Sequence, residues 1–312
     1  MKILTLTQIQ EVLQSMDFMP AIEAGFVSYS SGGAVVPPVG ELMLDKGEVH
    51  IKYGYLLKDQ YYVIKIASGF YNNPQRGLPS SNGLMLMFSQ ETGELVSVLL
   101  DEGHLTDTRT AVAGAIAAKY LASGTIERIG IAGTGVQARL QLCYLKNIID
   151  CRYVLVWGRG DVQLSQYRQD MEKQGFSVDV TLDADELLQT CNLVVTTTPT
   201  TAPLLHAAAL RPGTHITAVG SDTPDKQELD ARMLGRADVV VADSISQCLV
   251  RGEIHKAIGS GTINEDELIE LGEVISGSKA GRTSDDQITI ADLTGVAVQD
   301  IKIAAAVFEA LV

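Results

Sequence analysis

Positive charge is in short supply in this chain. Over 312 residues, 24 Lys and Arg face 38 Asp and Glu, a formal net charge of −14 at pH 7. That balance argues against non-specific nucleic-acid binding and against an anionic membrane surface as a partner. It also makes any lysine or arginine set in an apolar stretch informative, since an anionic cofactor or substrate needs local cations. Cysteine is sparse: Cys143, Cys151, Cys191 and Cys248 show neither C-x-x-C nor Cys/His ligand spacing, and are read as reduced thiols of a cytoplasmic protein. The five histidines do not cluster, so no metal site is expected. No serine sits in a nucleophile elbow. No apolar run reaches membrane-spanning length. Met1-Lys2-Ile3-Leu4 leads into polar residues rather than the apolar core of a signal peptide, so none is expected.

What the chain does have is apolar residues, 46% against 20% charged. That suffices for a sizeable core and, at this length, for two domains. Ile9, Val12, Leu13, Met16, Ile22 and Phe26 lie near helical spacing and predict one helix over 7–31, capped by Thr5 or Thr7 and stopped by Gly32-Gly33. Strands are predicted over 41–44, 49–57, 61–68, 84–89 and 95–101, with a long, functional loop over 72–83. An alanine-rich helix follows over 106–122. Beyond it, strands at 129–132, 153–157, 177–181, 193–197, 215–219 and 238–242 alternate with helices, among them 163–174, 183–188 and 227–234. Short apolar strands alternating with helices indicate a parallel sheet covered on both faces. From Asn264 the pattern is helical, then a loop over 277–286 and a closing apolar helix over 295–311. The fold class is therefore α/β: a Rossmann-type doubly wound parallel sheet over 121–290, and an N-terminal α+β domain over 1–120 that the closing segment 295–312 rejoins.

The stretch Ile129-Gly130-Ile131-Ala132-Gly133-Thr134-Gly135-Val136-Gln137-Ala138 reads as a strand, a glycine-rich turn and the start of a helix. It has the G-x-G-x-x-A form of the dinucleotide-binding fingerprint. Gly133 permits the tight turn, Gly135 lets backbone N–H groups approach a pyrophosphate, and Ala138 lets helix and strand pack closely. The positive end of the helix faces the phosphates. Thr134, Val136 and Gln137 complete the turn, and Thr196, Thr198, Val219 and Gly220, at the ends of later strands, are further expected cofactor residues. In NAD enzymes the second strand usually ends in an acid that holds the ribose 2′-hydroxyl. Here it ends Trp157-Gly158-Arg159, which suits a 2′-phosphate better, although Asp161 lies close by. The expected cofactor is NADP(H) or NAD(H), the former slightly favoured.

Three residues stand out for chemistry. Lys65 lies mid-strand in Tyr62-Val63-Ile64-Lys65-Ile66-Ala67. It is either an edge-strand lysine facing water or a cation that holds a carboxylate or polarises a carbonyl. Arg109 opens the alanine-rich helix and is either a surface residue paired with Asp107 or Asp101, or a two-pronged grip on a carboxylate. Asp222 follows a strand end, where ligands of open sheets bind, and is either a helix cap before Pro224 or a proton shuttle. His50 and Lys52 share one face of their strand.

With these positions in hand, the chain resembles the ornithine cyclodeaminase/mu-crystallin family over nearly its whole length. The resemblance is carried by Leu105-Thr106-Asp107-Thr108-Arg109-Thr110-Ala111 and by the glycine turn. Further on it is carried by Gly220-Ser221-Asp222-Thr223-Pro224-Asp225-Lys226-Gln227-Glu228-Leu229, Arg251-Gly252-Glu253, Gly281-Arg282-Thr283-Ser284 and Gly295-Val296-Ala297-Val298-Gln299-Asp300. It implies a Rossmann domain plus a substrate-binding and dimerisation domain, with the active site in the cleft between them. It also implies a homodimer, a nicotinamide cofactor, and hydride transfer at the Cα–N bond of a small amino or imino acid. Family members include ornithine and lysine cyclodeaminases, cyclic ketimine reductases and an alanine dehydrogenase. By the resemblance Lys65 lies near the substrate carboxylate and takes part in catalysis, Arg109 binds that carboxylate, and Asp222 is the acidic catalytic residue.

The departures shape the expectation. Cyclodeaminases carry another carboxylate-binding arginine where this chain has Gly40. His50 stands in place of an acid and Lys52 in place of a methionine, so Lys52 and His50 join the expected substrate-binding set and Lys52 supplies the missing charge. Asp225 replaces a glycine, and Ala291-Asp292-Leu293 replaces an aromatic-x-Ser segment. The function expected is an NAD(P)(H)-dependent imino acid reductase or amino acid dehydrogenase. The alternatives are a cyclodeaminase that releases ammonia by internal redox, and a non-catalytic, crystallin-like cofactor-binding protein.

Overall fold

The computed structural model describes all residues, Met1–Val312. Their contacts divide into two compact units, Met1–Arg109 with Val296–Val312, and Thr110–Gly295. The division falls inside one helix, α3 (His104–Leu121), upstream of the boundary expected at residue 120. No helix is long and apolar enough to cross a membrane.

The first unit is built on a sheet of β1 (Lys2–Leu4), β2 (Ala34–Val35), β3 (Gly40–Leu44), β4 (Gly47–Leu56), β5 (Tyr61–Gly69), β6 (Ser81–Ser89) and β7 (Leu95–Leu99). Its order is β1-β7-β6-β5-β4-β2, with β3 also paired to β4. All pairs are antiparallel except β1 with β7. β1 and β2 are too short to show an alternation, which is why periodicity misses them. The long loop is shorter than expected: a 3-10 turn at Asn73–Arg76 is followed by β6 from Ser81. The single helix over 7–31 is in fact two, α1 (Leu6–Ser15) and α2 (Met19–Ser30). Pro20 explains the break. It lies in the first turn of α2, where its missing N–H is harmless, whereas inside a continuous helix it would break a hydrogen bond and clash with the preceding turn.

Register places Lys52 opposite Lys65, Lys65 opposite Met85, and Met85 opposite Leu99, in one row across β4, β5, β6 and β7. Along β4, Glu48, His50, Lys52, Gly54 and Leu56 are buried while their neighbours are less so, so the polar row lies on the inner face. α10 (Ala297–Leu311) packs against α2, β4 and β5 and buries Val298, Ile301, Ile303, Val307 and Phe308. Each such side chain contributes about 1.5–3 kcal/mol on burial. The absence of a side chain at Gly25 lets α2 approach α10: a Cβ there would lie 3.3 Å from the Val298 carbonyl oxygen.

The second unit holds eight parallel strands in the order β10-β9-β8-β11-β12-β15-β13-β14. They are β8 (Ile129–Ala132), β9 (Tyr153–Trp157), β10 (Ser177–Thr181), β11 (Leu193–Thr196), β12 (His215–Ala218), β13 (Val239–Ala242), β14 (Leu268–Glu270) and β15 (Thr289–Asp292). The central strands are buried on both faces, which is why they read as apolar runs. The strand order reverses at β8, flanked by β9 and β11, and ligands of open sheets bind beyond the carboxyl ends of the strands at such a point. The unit's helices include α4 (Val136–Leu145), α5 (Asp161–Lys173), α6 (Asp185–Thr190), α7 (Ile245–Cys248), α8 (Gly252–Gly259) and α9 (Leu271–Ser276).

Three expectations are corrected here. The helix over 227–234 is absent: the backbone N–H groups of Glu228 and Leu229 donate to the Glu253 carboxylate, at 2.7 and 3.1 Å, rather than to helix carbonyls. Only a 3-10 turn follows, at Ala231–Arg236. The helical stretch from Asn264 is a 3-10 turn at Glu265–Glu267, then β14, then α9. β15, a central strand, was not anticipated, because Thr and Asp at its ends hide a buried strand from an apolar-run search.

α3 crosses α4 closely through its small residues. A Cβ at Gly114 would come within 1.9 Å of Gln141 Oε1, and Gln141 is buried, with Nε2 donating to the Thr110 carbonyl at 3.1 Å. Gly114→Ala should therefore destabilise the protein by about 1–3 kcal/mol, although alanine is the better helix former. Urea denaturation measures the sign, and a gain in stability would contradict this packing.

Candidate functional site

In the second unit, the β8–α4 turn, the end of β9 and the segment after β11 line a cavity of ≈ 280 Å³. Of the expected cofactor residues, Gly133, Thr134, Gly135, Arg159 and Thr198 line it, joined by Trp157, Gly158 and Thr197. Val136, Gln137, Ala138, Thr196, Val219 and Gly220 are not among the lining residues. Val136 is exposed on the first turn of α4, and Ala138 is buried, its carbonyl accepting from Tyr167 Oη at 3.0 Å. Gln137 Oε1 accepts from Gln141 at 3.4 Å.

The glycines of the turn are small for different reasons. Gly133 has φ +121°, and a Cβ there would lie 2.6 Å from Thr197 Oγ1. At Gly158 a Cβ would meet Thr134 Cγ2 at 2.8 Å. Both are demanded by the chain's own packing. Gly135, the N-cap of α4, has no such demand: a Cβ there would meet nothing within 4 Å, and its φ of −83° suits any residue. The open space faces the unpaired N–H groups of a helix start, the place where a pyrophosphate is held. The cavity therefore suits the pyrophosphate of a dinucleotide at this turn. Arg139, which the sequence reading passed over, braces the turn. Its Nη1 donates to the carbonyls of Thr134 and, at 3.2 Å, Gly135, and its Nε and Nη2 hold Asp170 at 3.1 and 2.9 Å.

Behind the cavity wall lies a second group missed by sequence reasoning. The carboxylate of Glu228, which is wholly buried, collects four donors. Oε1 accepts from Thr198 N at 2.5 Å and Thr198 Oγ1 at 2.8 Å; Oε2 accepts from Thr196 Oγ1 at 2.7 Å and Gly220 N at 2.8 Å. One side chain thus fixes the ends of β11 and β12. Burial pushes Glu228 up to about 7, against the pull of these bonds. Burial, then the neighbouring Glu228, pushes Glu253 up to about 8. Beyond β12, Asp222 Oδ1 pairs with Lys226 Nζ at 2.7 Å, and its backbone carbonyl accepts from Arg251 Nη1 at 3.2 Å. No helix follows Asp222, so it caps none.

In the first unit the structure decides between the readings of two cations. β5 is an interior strand and Lys65 is only 2% exposed, so it is no edge lysine. Arg109 is buried too, and its partner is neither Asp107 nor Asp101. Arg109 Nε donates to Asp300 Oδ1 at 3.0 Å and Nη1 to Gln299 Oε1 at 3.0 Å, while Lys65 Nζ lies 3.4 Å from Asp300 Oδ2. Two cations converge on one carboxylate supplied by α10. Lys52 is buried across the strand pair from Lys65. His50 lies further along that face, between Glu41 and Glu48 at 3.5 and 3.6 Å. Asp101, also buried, accepts from Leu105 N at 2.9 Å, and burial raises its carboxyl above the usual range while His104 and Lys65 pull it back.

The sequence model of the ornithine cyclodeaminase/mu-crystallin family matches residues 1–312. The chain belongs to this family. An uncharacterized cyclodeaminase of Sinorhizobium fredii is 42% identical over 317 residues, 99% of this chain and 95% of the relative. The solved structure of an archaeal alanine dehydrogenase dimer with bound NAD is 36% identical with a TM-score of 0.89, covering 98% of this chain and 94% of that one. The structure of Thermococcus litoralis Δ1-pyrroline-2-carboxylate reductase, in complex with NADH and L-proline, is 26% identical with a TM-score of 0.92, covering 99% and 97%. The expected α/β class holds, with a parallel Rossmann-type sheet and a separate mixed sheet.

Two outcomes are expected. Gly135→Ala should keep the wild-type melting temperature yet weaken dinucleotide binding roughly tenfold or more. Gly133→Ala should lower the melting temperature, since the strain costs ~1–3 kcal/mol. Quenching of Trp157, the only tryptophan, measures the binding; unchanged affinity in Gly135→Ala would remove the reason given for the open space. The second outcome concerns pH. Glu228 and Glu253 bind protons more tightly in the fold than in the unfolded chain, where they titrate near 4.5. Their contribution to stability is complete below that value and is lost as pH rises through about 7 and 8. The melting temperature should fall from pH 6 to 9, and fall less in Glu253→Gln, whose side chain stays neutral.

Proposed function

We infer that this family member is an NAD(P)(H)-dependent oxidoreductase acting at the Cα–N bond of a small amino or imino acid. The observation that carries the reading is the burial of Lys65 and Arg109 around one carboxylate. Buried cations brought together in this way form a ready site for a substrate carboxylate. Arg109 and Lys65, with Lys52 nearby, hold that carboxylate and fix Cα. When bound in the second unit, the nicotinamide dinucleotide supplies hydride to Cα or accepts it. Asp222, at a strand end and held by Lys226, gives or takes the proton at the substrate nitrogen. Gly40, His50 and Lys52 are the positions by which the site differs in charge from a cyclodeaminase.

Arg159 is exposed at the cavity mouth, and we propose that it favours NADP(H) by pairing with the 2′-phosphate. The archaeal alanine dehydrogenase and the Thermococcus litoralis reductase hold NAD and NADH, so the preference needs its own test. We also propose a homodimer. The archaeal neighbour is a dimer, and β3 leaves Leu42, Met43 and Leu44 exposed together, a patch of the kind that marks an interface. The cyclodeaminase reading remains as a second one because of the Sinorhizobium relative's name. It requires ammonia release from a diamino acid without net consumption of added cofactor.

The primary test is a cofactor-oxidation screen over linear and cyclic imino acids, run beside an ammonia-release assay on diamino acids. Asp222→Asn should lower kcat by ~10²-fold or more while dinucleotide affinity stays put; near wild-type turnover would remove Asp222 from the mechanism. Arg159→Ala should weaken NADPH about tenfold and NADH by less than about twofold. A wild-type protein that binds NADH better than NADPH would sink the Arg159 proposal.

A further inference from the structure

The segment Gly295-Val296-Ala297-Val298-Gln299-Asp300 supplies the carboxylate on which Lys65 and Arg109 converge, and a second of its side chains, Gln299, with no role assigned above, also ends beside Arg109. Gln299 is fully buried and Asp300 is 1% exposed. The orientation of the Gln299 amide is set by its neighbour: Oε1 accepts from Arg109 Nη1 at 3.0 Å, and the reversed amide would point N–H at N–H. Nε2 is then a buried donor, and it has no acceptor on the chain. An unpaired buried donor costs about 1–3 kcal/mol, and in native proteins such groups call for a specific partner. Asp300 takes the Nε of Arg109 and Gln299 takes one N–H of Nη1, so further N–H groups of the same guanidinium point elsewhere. The amide that holds Arg109 through Oε1 therefore carries a buried donor of its own, on the same side chain, with no acceptor.

We propose that Gln299 is a ligand of the substrate carboxylate: Nε2 donates to one of its oxygens beside Arg109, and Asp300 positions Arg109 and Lys65 for the same anion. This rests on the reading that Arg109 binds that carboxylate. An acceptor that serves this donor and the Arg109 guanidinium together is well supplied by a carboxylate, which a 2-imino or 2-amino acid provides.

The discriminating variant is Gln299→Glu. It keeps an acceptor for Arg109 Nη1, so a residue that merely braces Arg109 would lose nothing. A ligand would be turned from a donor into a second negative group facing the substrate. With Δ1-pyrroline-2-carboxylate or pyruvate plus ammonium as probes and NADH or NADPH as reductant, Gln299→Glu should raise KM about tenfold or more. The melting temperature and the dinucleotide affinity from Trp157 quenching should not change. The charge-balanced double variant Gln299→Glu/Asp300→Asn should not recover the wild-type KM, because the donor is still missing. Should Gln299→Glu fold poorly, the double variant, which keeps the acceptor for Arg109 and adds no charge, is read on its own. A wild-type KM in any of these variants overturns the proposal. Arg109→Gln run in parallel separates the two claims: if it leaves KM unchanged, or if wild-type protein turns over neither probe, the carboxylate-site reading itself falls.

Discussion

The nucleotide-binding end of the second unit depends on one buried carboxylate. Strand ends of a parallel sheet leave N–H groups that must find acceptors or face a cost of desolvation. Glu228 answers for both β11 and β12, accepting from Thr198, Thr196 and Gly220 at once. Its own backbone is held in turn by Glu253. The result is a wall behind Thr198 held by hydrogen bonds to one carboxyl group rather than by apolar packing alone. It is also a chain of dependence: Glu253 shapes Glu228, Glu228 shapes Thr198, and Thr198 lines the cavity.

The first unit repeats the theme with opposite signs. There a carboxylate on α10 gathers cations, and the sheet register brings Lys52 and Lys65 face to face. Like charges directly across a strand pair repel, and the Asp300 carboxylate offsets part of that repulsion at Lys65.

Much of this was legible in the order of the residues. The parallel strands announce themselves as apolar runs, and the glycine turn of β8–α4 was located to the residue. Lys65 and Arg109 were conspicuous because a cation in an apolar setting is conspicuous. What remained hidden has a common cause. Asp300 lies 191 residues from Arg109, and nothing in local periodicity links them. Glu228 reads as part of a helix because the donors to its carboxylate, and the Glu253 carboxylate that accepts from its backbone N–H, lie on other segments. β15 carries Thr289 and Asp292 inward, and a pattern search treats those as surface. Pro20 was visible throughout; the helical spacing around it was allowed to outweigh it.

The contribution of α10 to the first unit bears on how the chain is made. Residues 1–109 leave the ribosome early, but the helix that covers β4 and β5 follows only after the whole second unit has been synthesised. Until then, the carboxylate on which Lys65 and Arg109 converge does not exist. The first unit is therefore a high-contact-order assembly, closed by its last segment. Its cation site is completed only when the nucleotide-binding unit already has all its residues.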